Sequence, residues 1–551
     1  MGAPTASTDP PATPPRTVAS AWAPFRNRAF AVIWAATVVS NIGGWMSGLA
    51  SGWLMMSLDP NPFIVSMVQV ANTLPMFLFA IPAGALVDIV DRRRFLIFGE
   101  CAITITGTAF AALVWLQRIT PGSLLLFSFI VTVGSAVTAP AWQAVVSQLV
   151  PKADLSGAVA ANSAGINVSR TLGPALGGAI IGPFGIAAPF WLDAFSNIGV
   201  IAGLLWWRPP KQSGARLAPE PFGAAVRTGL RHARYNTHLS ATLIRAIGFF
   251  VFASAYWALL PLVARSQITG GPTLYGILLG AIGASAVAAT FVLPRLRARF
   301  RADQLLAVAT LATAAATGLF ALAHDSVTGI AASLIAGASW IAAVSSLNIS
   351  AQVALPEWVR GRGLAMYVTV MFGALTIGSA IWGEIAALVG LPAALLIAAA
   401  GAVAAIPLTA RWKLQTGANV DLSPSMHWPA PVTLHAIEND RGPVLVMTEY
   451  HIDPKSRGPF LKALAGYARE RRRDGAYDWG VFEDPAVEGR FIETFRTDSW
   501  IEHLRQHRRV TKADSFAQDA VRRFQIGDEP KTTHLIGAQV GDAAPSSNAG
   551  I

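Results

Sequence analysis

The stretch SRTLGPALGG, residues 169–178, decides the fold of this chain, because part of its pattern recurs 205 residues further along. At that offset five residues are repeated, one at a turn and four along one helix stripe: Pro151, Thr171, Gly173, Ala175 and Gly178 match Pro356, Thr376, Gly378, Ala380 and Gly383. Such a repeat is expected of a duplicated half, which is common among secondary transporters. Only the first copy contains Arg170, Pro174 and Gly177. We therefore interpret the chain as two similar membrane halves with different tasks.

The composition indicates that lipid surrounds much of the chain. Of its 551 residues, 53% are hydrophobic and 13% are charged, whereas soluble proteins have about 25% charged residues. The net charge of +11 does not indicate a nucleic-acid partner, because the basic residues lie between apolar segments, as in the cytoplasmic loops of membrane proteins. The single cysteine, Cys101, excludes an intrachain disulfide.

Apolar runs long enough to cross about 30 Å of hydrocarbon follow one another from Phe30 onward. Basic residues gather in alternate connectors, such as 92–94 and 295–301, while the opposite loops hold only Arg118 and Arg265. This asymmetry predicts an even number of spans and two cytoplasmic termini. We predict twelve spans, at 29–52, 63–87, 95–116, 122–148, 157–182, 186–207, 237–262, 273–294, 303–323, 326–350, 364–388 and 391–411.

Charged, soluble-like sequence follows the last span. The segment 444–450 predicts a strand, 454–473 an amphipathic helix, and 478–483 with 490–496 a strand pair. Helices from 498 to 507 and from 512 to 524 and a closing strand at 533–536 complete the pattern. The order β-α-β-β-α-β is typical of a ferredoxin-like module.

The predicted fold class is therefore an all-α polytopic membrane protein of two six-helix halves, with a small α+β ferredoxin-like C-terminal domain. Two linkers and two disordered tails complete the chain, and the N-terminal tail has no apolar core that would make it a signal peptide. The predicted bounds are 1–27 for the first tail, 28–207 for the first half, 208–236 for the cytoplasmic linker, 237–412 for the second half, 413–440 for the second linker, 441–538 for the ferredoxin-like domain and 539–551 for the last tail.

The sequence GALVDIVDRRR, residues 84–94, joins the second and third spans. An aspartate beside a basic cluster can form a contact that breaks when the two halves rock, although a plain basic loop is the alternative. The stretch resembles the cytoplasmic gate motif of the major facilitator superfamily, from which Ile89 and Asp91 depart. The resemblance implies that superfamily's twelve-helix fold and assigns the gate to Gly84, Asp88, Arg92 and Arg93.

A second motif lies in the predicted fifth span. It resembles the fifth-helix motif of exporters in this superfamily, and its residues are Gly165, Gly173, Pro174, Gly177 and Gly178. Small residues let helices approach closely and Pro174 bends the helix, whereas ordinary small-residue packing is the alternative. The runs 41–45 and 140–143 resemble the enterobactin-exporter-like, or transmembrane secretion effector, branch. The fourth span lacks the buried arginine of many proton-coupled drug exporters.

Ionisable and polar residues inside spans are costly and therefore candidates for function. Arg170 would bind an anionic substrate or form a permanent ion pair with Asp193 or another acid. Glu384 would serve proton coupling or lie at the membrane interface. The candidates for substrate binding or coupling are Arg170, Asp193, Glu384, Glu100, Arg245 and Asn41.

The C-terminal module resembles the antibiotic-biosynthesis-monooxygenase-like group of dimeric α/β-barrels through its strand order and through Trp500-x-x-His503-x-x-x-His507, with Asp514 following. The resemblance leaves open an enzymatic pocket for haem or an aromatic polyketide, built from His451, Trp479, His503 and His507. The spacing of the last two also suits a solvated helix face. We expect a regulatory or dimerising role instead, because pairing two sheets covers their open faces.

Together these features predict a secondary active transporter of the bacterial inner (plasma) membrane. We expect it to couple proton entry to export of a small organic molecule, such as a siderophore-like metabolite or a drug, by alternating access. The alternatives are an uptake symporter and a membrane-tethered monooxygenase-like protein. The expected partners are the substrate, the proton, membrane lipid and a second copy through the C-terminal domain. No catalytic residue, cofactor or metal site is predicted.

Overall fold

The computed structural model describes residues 22–87, 90–208, 231, 234–356, 358–416, 437 and 441–538. In this part of the chain twelve long helices precede a small α+β domain: α1 Arg28–Leu58, α2 Pro62–Val87, α3 Arg92–Trp115, α4 Pro121–Leu149, α5 Leu155–Phe184, α6 Ala188–Trp206, α7 Thr237–Leu262, α8 Pro272–Arg299, α9 Ala302–Leu322, α10 Ser326–Val353, α11 Arg360–Val389 and α12 Leu391–Thr409. These confirm the predicted all-α membrane fold.

Eleven of the described helices are long and apolar enough to cross a membrane. The remaining long helix, α5, has 30 residues and is less apolar because it contains Arg170, two asparagines and several serines and glycines. It nevertheless packs between α1 and α8 like a span. We therefore count it as the twelfth crossing. The predicted tails at 1–21 and 539–551, and most of both linkers, lie outside the described residues.

Helix ends follow local chemistry and preserve the repeat. The side chains of Asn236 and Asp325 accept backbone hydrogen bonds at the starts of α7 and α10. The helices α5 and α11 stop at Gly185 and Gly390, whose φ angles of +82° and +87° suit glycine best. Because these glycines are also 205 residues apart, the repeat includes the end of the helix.

The two halves have matching internal contacts. In the first half α1 packs on α5 and α6, α2 on α4, and α3 on α4 and α6. In the second half α7 packs on α11 and α12, α8 on α10, and α9 on α10 and α12. The halves meet through α2 with α11 and through α5 with α8, which are equivalent pairs. The predicted two six-helix halves are thereby confirmed.

The repeated glycines make equivalent contacts within each half. A Cβ atom on Gly173 would lie 2.9 Å from the carbonyl oxygen of Ile42 on α1. A Cβ atom on Gly378 would lie 2.6 Å from the carbonyl oxygen of Val251 on α7. Only a residue without a side chain permits this approach of two helix backbones.

A second pair of repeated glycines joins the halves to each other. A Cβ atom on Gly178 would lie 3.0 Å from Cα of Gly276 on α8, and one on Gly383 would lie 3.3 Å from Cα of Phe63 on α2. Both contacts lie near the helix ends beside the loops 59–61 and 263–271. The repeat therefore sets the packing between the halves as well as within them.

The C-terminal domain is a four-stranded antiparallel sheet in the order β2-β3-β1-β4. This is the ferredoxin-like order, so the predicted α+β class is confirmed. The predicted order of strands and helices is found here as well, including two separate helices between the third and fourth strands. Its elements are β1 Val444–His451, α13 Arg457–Arg473, β2 Tyr477–Glu483, β3 Arg490–Thr497, α14 Trp500–Arg509, α15 Lys512–Arg522 and β4 Lys531–Ile536.

The two faces of this sheet differ in burial. One face carries Val446 and Phe495, which are buried beneath the helices. The other face carries Leu445 and Met447, which are half-buried, and Leu535, which is 46% exposed. Successive residues of a strand point to opposite faces, so this second face is a continuous and partly apolar surface.

Candidate functional site

Arg170 lies near the middle of α5, where the two halves meet. Its guanidinium carbon lies 5.7 Å from the ring centre of Trp45 on α1, 5.4 Å from that of Trp257 on α7 and 5.9 Å from that of Trp340 on α10. Each distance is within the range of a cation–π contact, which is about 6 Å. One tryptophan belongs to the first half and two belong to the second. Arg170 therefore touches both halves at once.

The charge of Arg170 has no acidic partner among the described residues. Its Nε atom is buried and donates no hydrogen bond there, and no carboxylate in the described ranges lies within ion-pair distance. Tyr256, which is fully buried on α7, is close enough to interact with it electrostatically. The permanent ion pair considered for Arg170 is thus absent from this part of the structure.

Two acids lie together inside the first half. Asp193 on α6 packs against α1, where a Cβ atom on Gly43 would lie 3.2 Å from its Oδ1 atom, and it is hydrogen-bonded to Ser47. Glu100 on α3 is buried, and its Oε1 atom accepts a hydrogen bond of 2.9 Å from Nε1 of Trp142. Asp193 and Glu100 are near enough for their charges to interact.

The other intramembrane candidates have different surroundings. Arg245 is buried, lies 2.9 Å from Oδ1 of Asp303 and donates a hydrogen bond to Thr409, so its charge is neutralised while it joins α7, α9 and α12. Glu384 is exposed near the end of α11. Asn41 is half-buried on α1, one turn before Trp45. Arg245 thus has the contacts of a structural residue, and Asn41 lies beside the aromatic cluster.

The predicted gate is only partly described. Asp88 lies outside the described residues, and a Cβ atom on Gly84 would have no neighbour within 4 Å. Arg93 donates hydrogen bonds of 2.8 Å and 2.7 Å to the carbonyl oxygens of Leu204 and Leu205 at the end of α6. Cations are favourable at that end of a helix. Arg92 is half-buried, and its Nε atom has no hydrogen-bond partner in the described ranges.

Asp91 replaces the glycine expected in this motif, and the structure gives a reason. Its side chain accepts a hydrogen bond of 2.8 Å from the backbone nitrogen of Arg94, which begins α3. The backbone φ of Asp91 is −66°, so this position does not require glycine. The departure from the motif supplies a helix cap.

The exporter-like motif of α5 packs against helices of both halves. Gly165 contacts Val38 on α1, and a Cβ atom on Gly177 would lie 3.0 Å from Cα of Met46 on the same helix. Gly173 also faces α1, whereas Pro174 and Gly178 face α8. The small residues of the motif therefore hold α5 between the two halves, next to Arg170.

The C-terminal module does not bring together all four residues of the suggested enzymatic pocket. Trp479 donates a hydrogen bond of 2.9 Å to Glu493, which is completely buried and also bonded to Tyr450. His451 lies on the opposite sheet face, 3.6 Å from Glu449. These two residues therefore serve separate contacts.

His503 and His507 are joined instead by His534 on β4, and nitrogen atoms of the three rings lie within 4.8 Å of one another. Burial, together with the neighbouring His507, His534 and Arg471, lowers the pKa of His503 to about 3. Sequence reasoning missed His534, for which the only signal was its place in the predicted closing strand. It also missed Trp257 and Trp340, since nothing local marks them as facing Arg170.

Twelve long helices in two matching halves, with a charged residue between them, are the arrangement of the major facilitator fold. A family model described as transmembrane secretion effector matches residues 19–540, and the chain belongs to that family. This family membership confirms the resemblance found in the sequence. Together with the helices that are long and apolar enough to cross a membrane, it makes the protein a multi-pass membrane protein of that family.

Three curated bacterial relatives are similar over parts of their length. The staphyloferrin A transporter of Staphylococcus aureus (strain NCTC 8325 / PS 47) is 23% identical over 46% of this chain and 64% of its own. Macrolide efflux protein A of Streptococcus pyogenes is 23% identical over 44% of this chain and 60% of its own. The multidrug efflux pump Tap of Mycolicibacterium fortuitum is 25% identical over 66% and 90%. The chain thus aligns with less than two thirds of the first two.

Solved structures agree in fold. A bacterial homologue of the human lysosomal transporter Spinster, in an inward-facing and unoccupied conformation, has a TM-score of 0.52 and 15% identity over 70% of this chain and 95% of its own. An auto-inhibited peptide transporter of the POT family has a TM-score of 0.58 and 12% identity over 71% of this chain and 98% of its own. At these identities the likeness concerns the fold alone.

Proposed function

We propose that the protein exports a small anionic organic molecule by alternating access, and that Arg170 binds the anionic group. The observation that carries this proposal is a cation held among three tryptophans between the halves, with no acid beside it in the described ranges. An unpaired charge in an apolar interior is costly, so a carboxylate or catecholate that forms charge-assisted hydrogen bonds with the guanidinium would be bound favourably.

The aromatic rings suit the rest of such a cargo. Trp45, Trp257 and Trp340 offer apolar faces to a ring or chain attached to the anionic group. The relatives named for staphyloferrin A and for macrolides support a small organic molecule as cargo, although they align over only part of their length. A siderophore-like metabolite has the required charge and is the substrate class we favour.

Contacts between the halves support a transport cycle. Gly178 meets Gly276, and the hydroxyls of Thr73 and Thr376 are 2.8 Å apart. Arg265 donates a hydrogen bond to Ser57. These contacts lie between the membrane centre and the loops 59–61 and 263–271. We infer that this side is closed. Since the opposite loops are basic, we assign the closed side to the outside and both termini to the cytoplasm.

The α5 motif is our reason for proposing export rather than uptake. Its glycines bring α1 and α8 against α5 around Arg170, so movement of α5 would change the binding site and the contact between the halves together. This arrangement links cargo binding to rocking of the halves. An uptake symporter would not require the motif, which importers of the superfamily mostly lack.

We propose Asp193 and Glu100 as the proton-coupling pair. Two neighbouring carboxylates in an apolar surrounding repel each other when both are charged, and one bound proton removes that repulsion. Glu384 is exposed and Arg245 is neutralised by Asp303, so neither is favoured for this task. The pair lies within the half that also holds Arg170.

The proposal is tested by transport into inverted membrane vesicles under a pH gradient, with a carboxylate-bearing siderophore compared with a macrolide. Arg170→Leu should weaken binding of the carboxylate cargo by about 1–3 kcal/mol, or roughly 5- to 150-fold. Arg170→Lys should retain part of the affinity because it keeps the charge. Equal affinity in the wild type and the Leu variant would assign Arg170 to structure and reject the proposed binding role.

We further propose that the C-terminal domain pairs with a second copy through the partly apolar sheet face of Leu445, Met447 and Leu535, and is not itself the catalyst of a reaction. Deletion of residues 433–551 should then change the oligomeric state while transport in vesicles persists. Loss of a haem- or quinol-oxidising activity on the same deletion would favour the membrane-tethered monooxygenase instead.

A further inference from the structure

We propose that His503, His507 and His534 form a binding site for one divalent transition-metal ion, with Zn²⁺ as the reference ion. The three side chains come from two elements of the C-terminal module, α14 and β4. The site is separate from the membrane helices, and nothing in the proposed transport mechanism uses it.

The spacing of the ring nitrogens fits metal coordination. His503 and His507 are four residues apart on α14, so their side chains share one helix face. Their Nε2 atoms are 3.2 Å apart. Two nitrogen ligands about 2.0–2.1 Å from a common ion are separated by about 2.9–3.4 Å, depending on the angle at the ion. The third nitrogen, from His534, lies within 4.8 Å of the others and needs only a small side-chain movement.

The sheet register explains why His534 faces the helix. His534 lies opposite Val446 in the pairing of β4 with β1, and Val446 is buried on the face covered by the helices. Directly opposite residues of an antiparallel pair point to the same face. The backbone of β4 therefore directs His534 towards α14, whereas its neighbours Thr533 and Leu535 point to the other face.

The surroundings allow an ion to enter and be retained. His503 is 1% exposed, whereas His507 and His534 are half-buried and give access from solvent. The ring of Trp500 lies 5.6 Å from that of His503. The Nδ1 atom of His503 is buried and makes no hydrogen bond among the described residues, and the buried side chain of Gln506 lies near it. With a metal ion on Nε2, a small rotation of this amide would let its oxygen accept the proton of Nδ1, as neighbours of metal-bound histidines do.

The nearby cation is compensated. Arg471 is close enough to affect His503 and His534, and its charge would oppose binding of a metal ion. Its Nε atom lies 3.6 Å from Oε1 of Glu493, which is completely buried. The carboxylate of Glu493 therefore offsets the charge of Arg471 within the same core.

Three imidazoles define the kind of ion. Neutral imidazole suits Zn²⁺, Cu²⁺, Ni²⁺ and Fe²⁺ better than Mg²⁺ or Ca²⁺, which prefer oxygen. Three protein ligands leave a fourth position for water or an added anion. Binding would tie the edge strand β4 to α14, so the folded module should be more stable with the ion than without it.

The competing explanation is a simple hydrogen bond between His503 and His507. That contact does not need His534 and does not select metal ions. The two explanations therefore differ in what substitution of His534 does.

The test uses the full-length protein in detergent, made without a histidine tag, stripped by a chelator and then titrated with ZnCl2 or CoCl2. We expect one ion per chain, a rise in the unfolding temperature of the module, and Co²⁺ absorption bands characteristic of nitrogen ligands. MgCl2 should produce none of these changes. Failure of the wild-type protein to bind one equivalent of Zn²⁺ or Co²⁺ would overturn the proposal.

His534→Gln should weaken binding at least about 10-fold, because losing a ligand costs more than losing a supporting partner. His451→Ala is the matched control, since His451 lies in the same module on the other sheet face and its side chain is 49% exposed. The control should bind like the wild type. Wild-type affinity in His534→Gln, or equal weakening in both variants, would reject a three-histidine site; an unchanged circular-dichroism spectrum shows that each variant is folded.

Discussion

The first and second halves of the membrane domain share a framework but not their charges. Gly173, Gly178 and Gly185 make the same helix contacts and turns as Gly378, Gly383 and Gly390. At the same offset Arg170 is replaced by Leu375 and Asp193 by Ala398. The comparison indicates that repeated small residues set the packing of the membrane domain, while the charged residues that we propose for function occur in only one half.

The arginines of the two halves illustrate this difference. Arg245 in the second half is paired with Asp303, whereas Arg170 in the first half lies against three tryptophan rings and has no acid within ion-pair distance among the described residues. A neutralised arginine can hold helices together permanently. An arginine without an acid is available to a ligand that enters and leaves.

The largest effect should come from removing the acid that we assign to proton coupling. Asp193→Asn should abolish most of the pH-gradient-driven efflux while cargo binding persists, because the amide cannot carry a proton. Glu384→Gln, which changes an exposed acid in the other half, is the control and should transport normally. Both variants are compared by pH-gradient-driven efflux in the same vesicles. Normal efflux by Asp193→Asn would show that proton coupling does not depend on this acid of the first half.

The next largest effect should be a difference in the free energy of unfolding between the variants Arg245→Leu and Arg170→Leu. Arg245→Leu leaves the carboxylate of Asp303, 25% exposed, without its partner and should lower the free energy of unfolding by about 2–3 kcal/mol. Arg170→Leu removes a charge beside which the described part of the chain places no acid, and should not lower stability. Thermal unfolding in detergent measures both. Equal destabilisation would mean that Arg170 also serves the framework.

The shared framework is tested at the contact between the halves. In Gly178→Ala the new methyl group would lie 3.0 Å from Cα of Gly276, so the variant should lose about 1–3 kcal/mol of stability and transport poorly. Gly182→Ala changes the same helix where no atom lies within 4 Å, and should be tolerated. If both variants transport alike, close packing at Gly178 is not required.

The smallest effect concerns the hydrogen bond between the halves. Thr376→Val removes the contact with Thr73 and should cost about 0.5–1.5 kcal/mol, favouring the conformation open to the outside. Thr317→Val, whose hydroxyl bonds only within its own helix, is the control. Fluorescence energy transfer between labels on α2 and α11 would report the shift, and an unchanged distance distribution would contradict it.

The sequence predicted the framework because its signals are local. Apolar length and alternating basic connectors placed the spans within a few residues, and strand alternation placed the C-terminal sheet. The site was harder, since Trp45, Trp257 and Trp340 come from three separate helices whose facing sides only the packing determines. Similarly, Arg245 was recognised as a buried charge, but Asp303 was not, because it lies at the start of α9.

The contact of Gly178 with Gly276 has a consequence for how such transporters diversify. It joins two backbones, so a bulkier residue on one helix finds no side chain on the other that could become smaller and restore the fit. A second substitution therefore cannot compensate for a bulkier residue at this contact between the halves. The tryptophans around Arg170 are not restricted in this way, because their side chains can be exchanged without moving a backbone. If they contact the cargo as we propose, substitutions among them would change the cargo while the contact between the halves is kept.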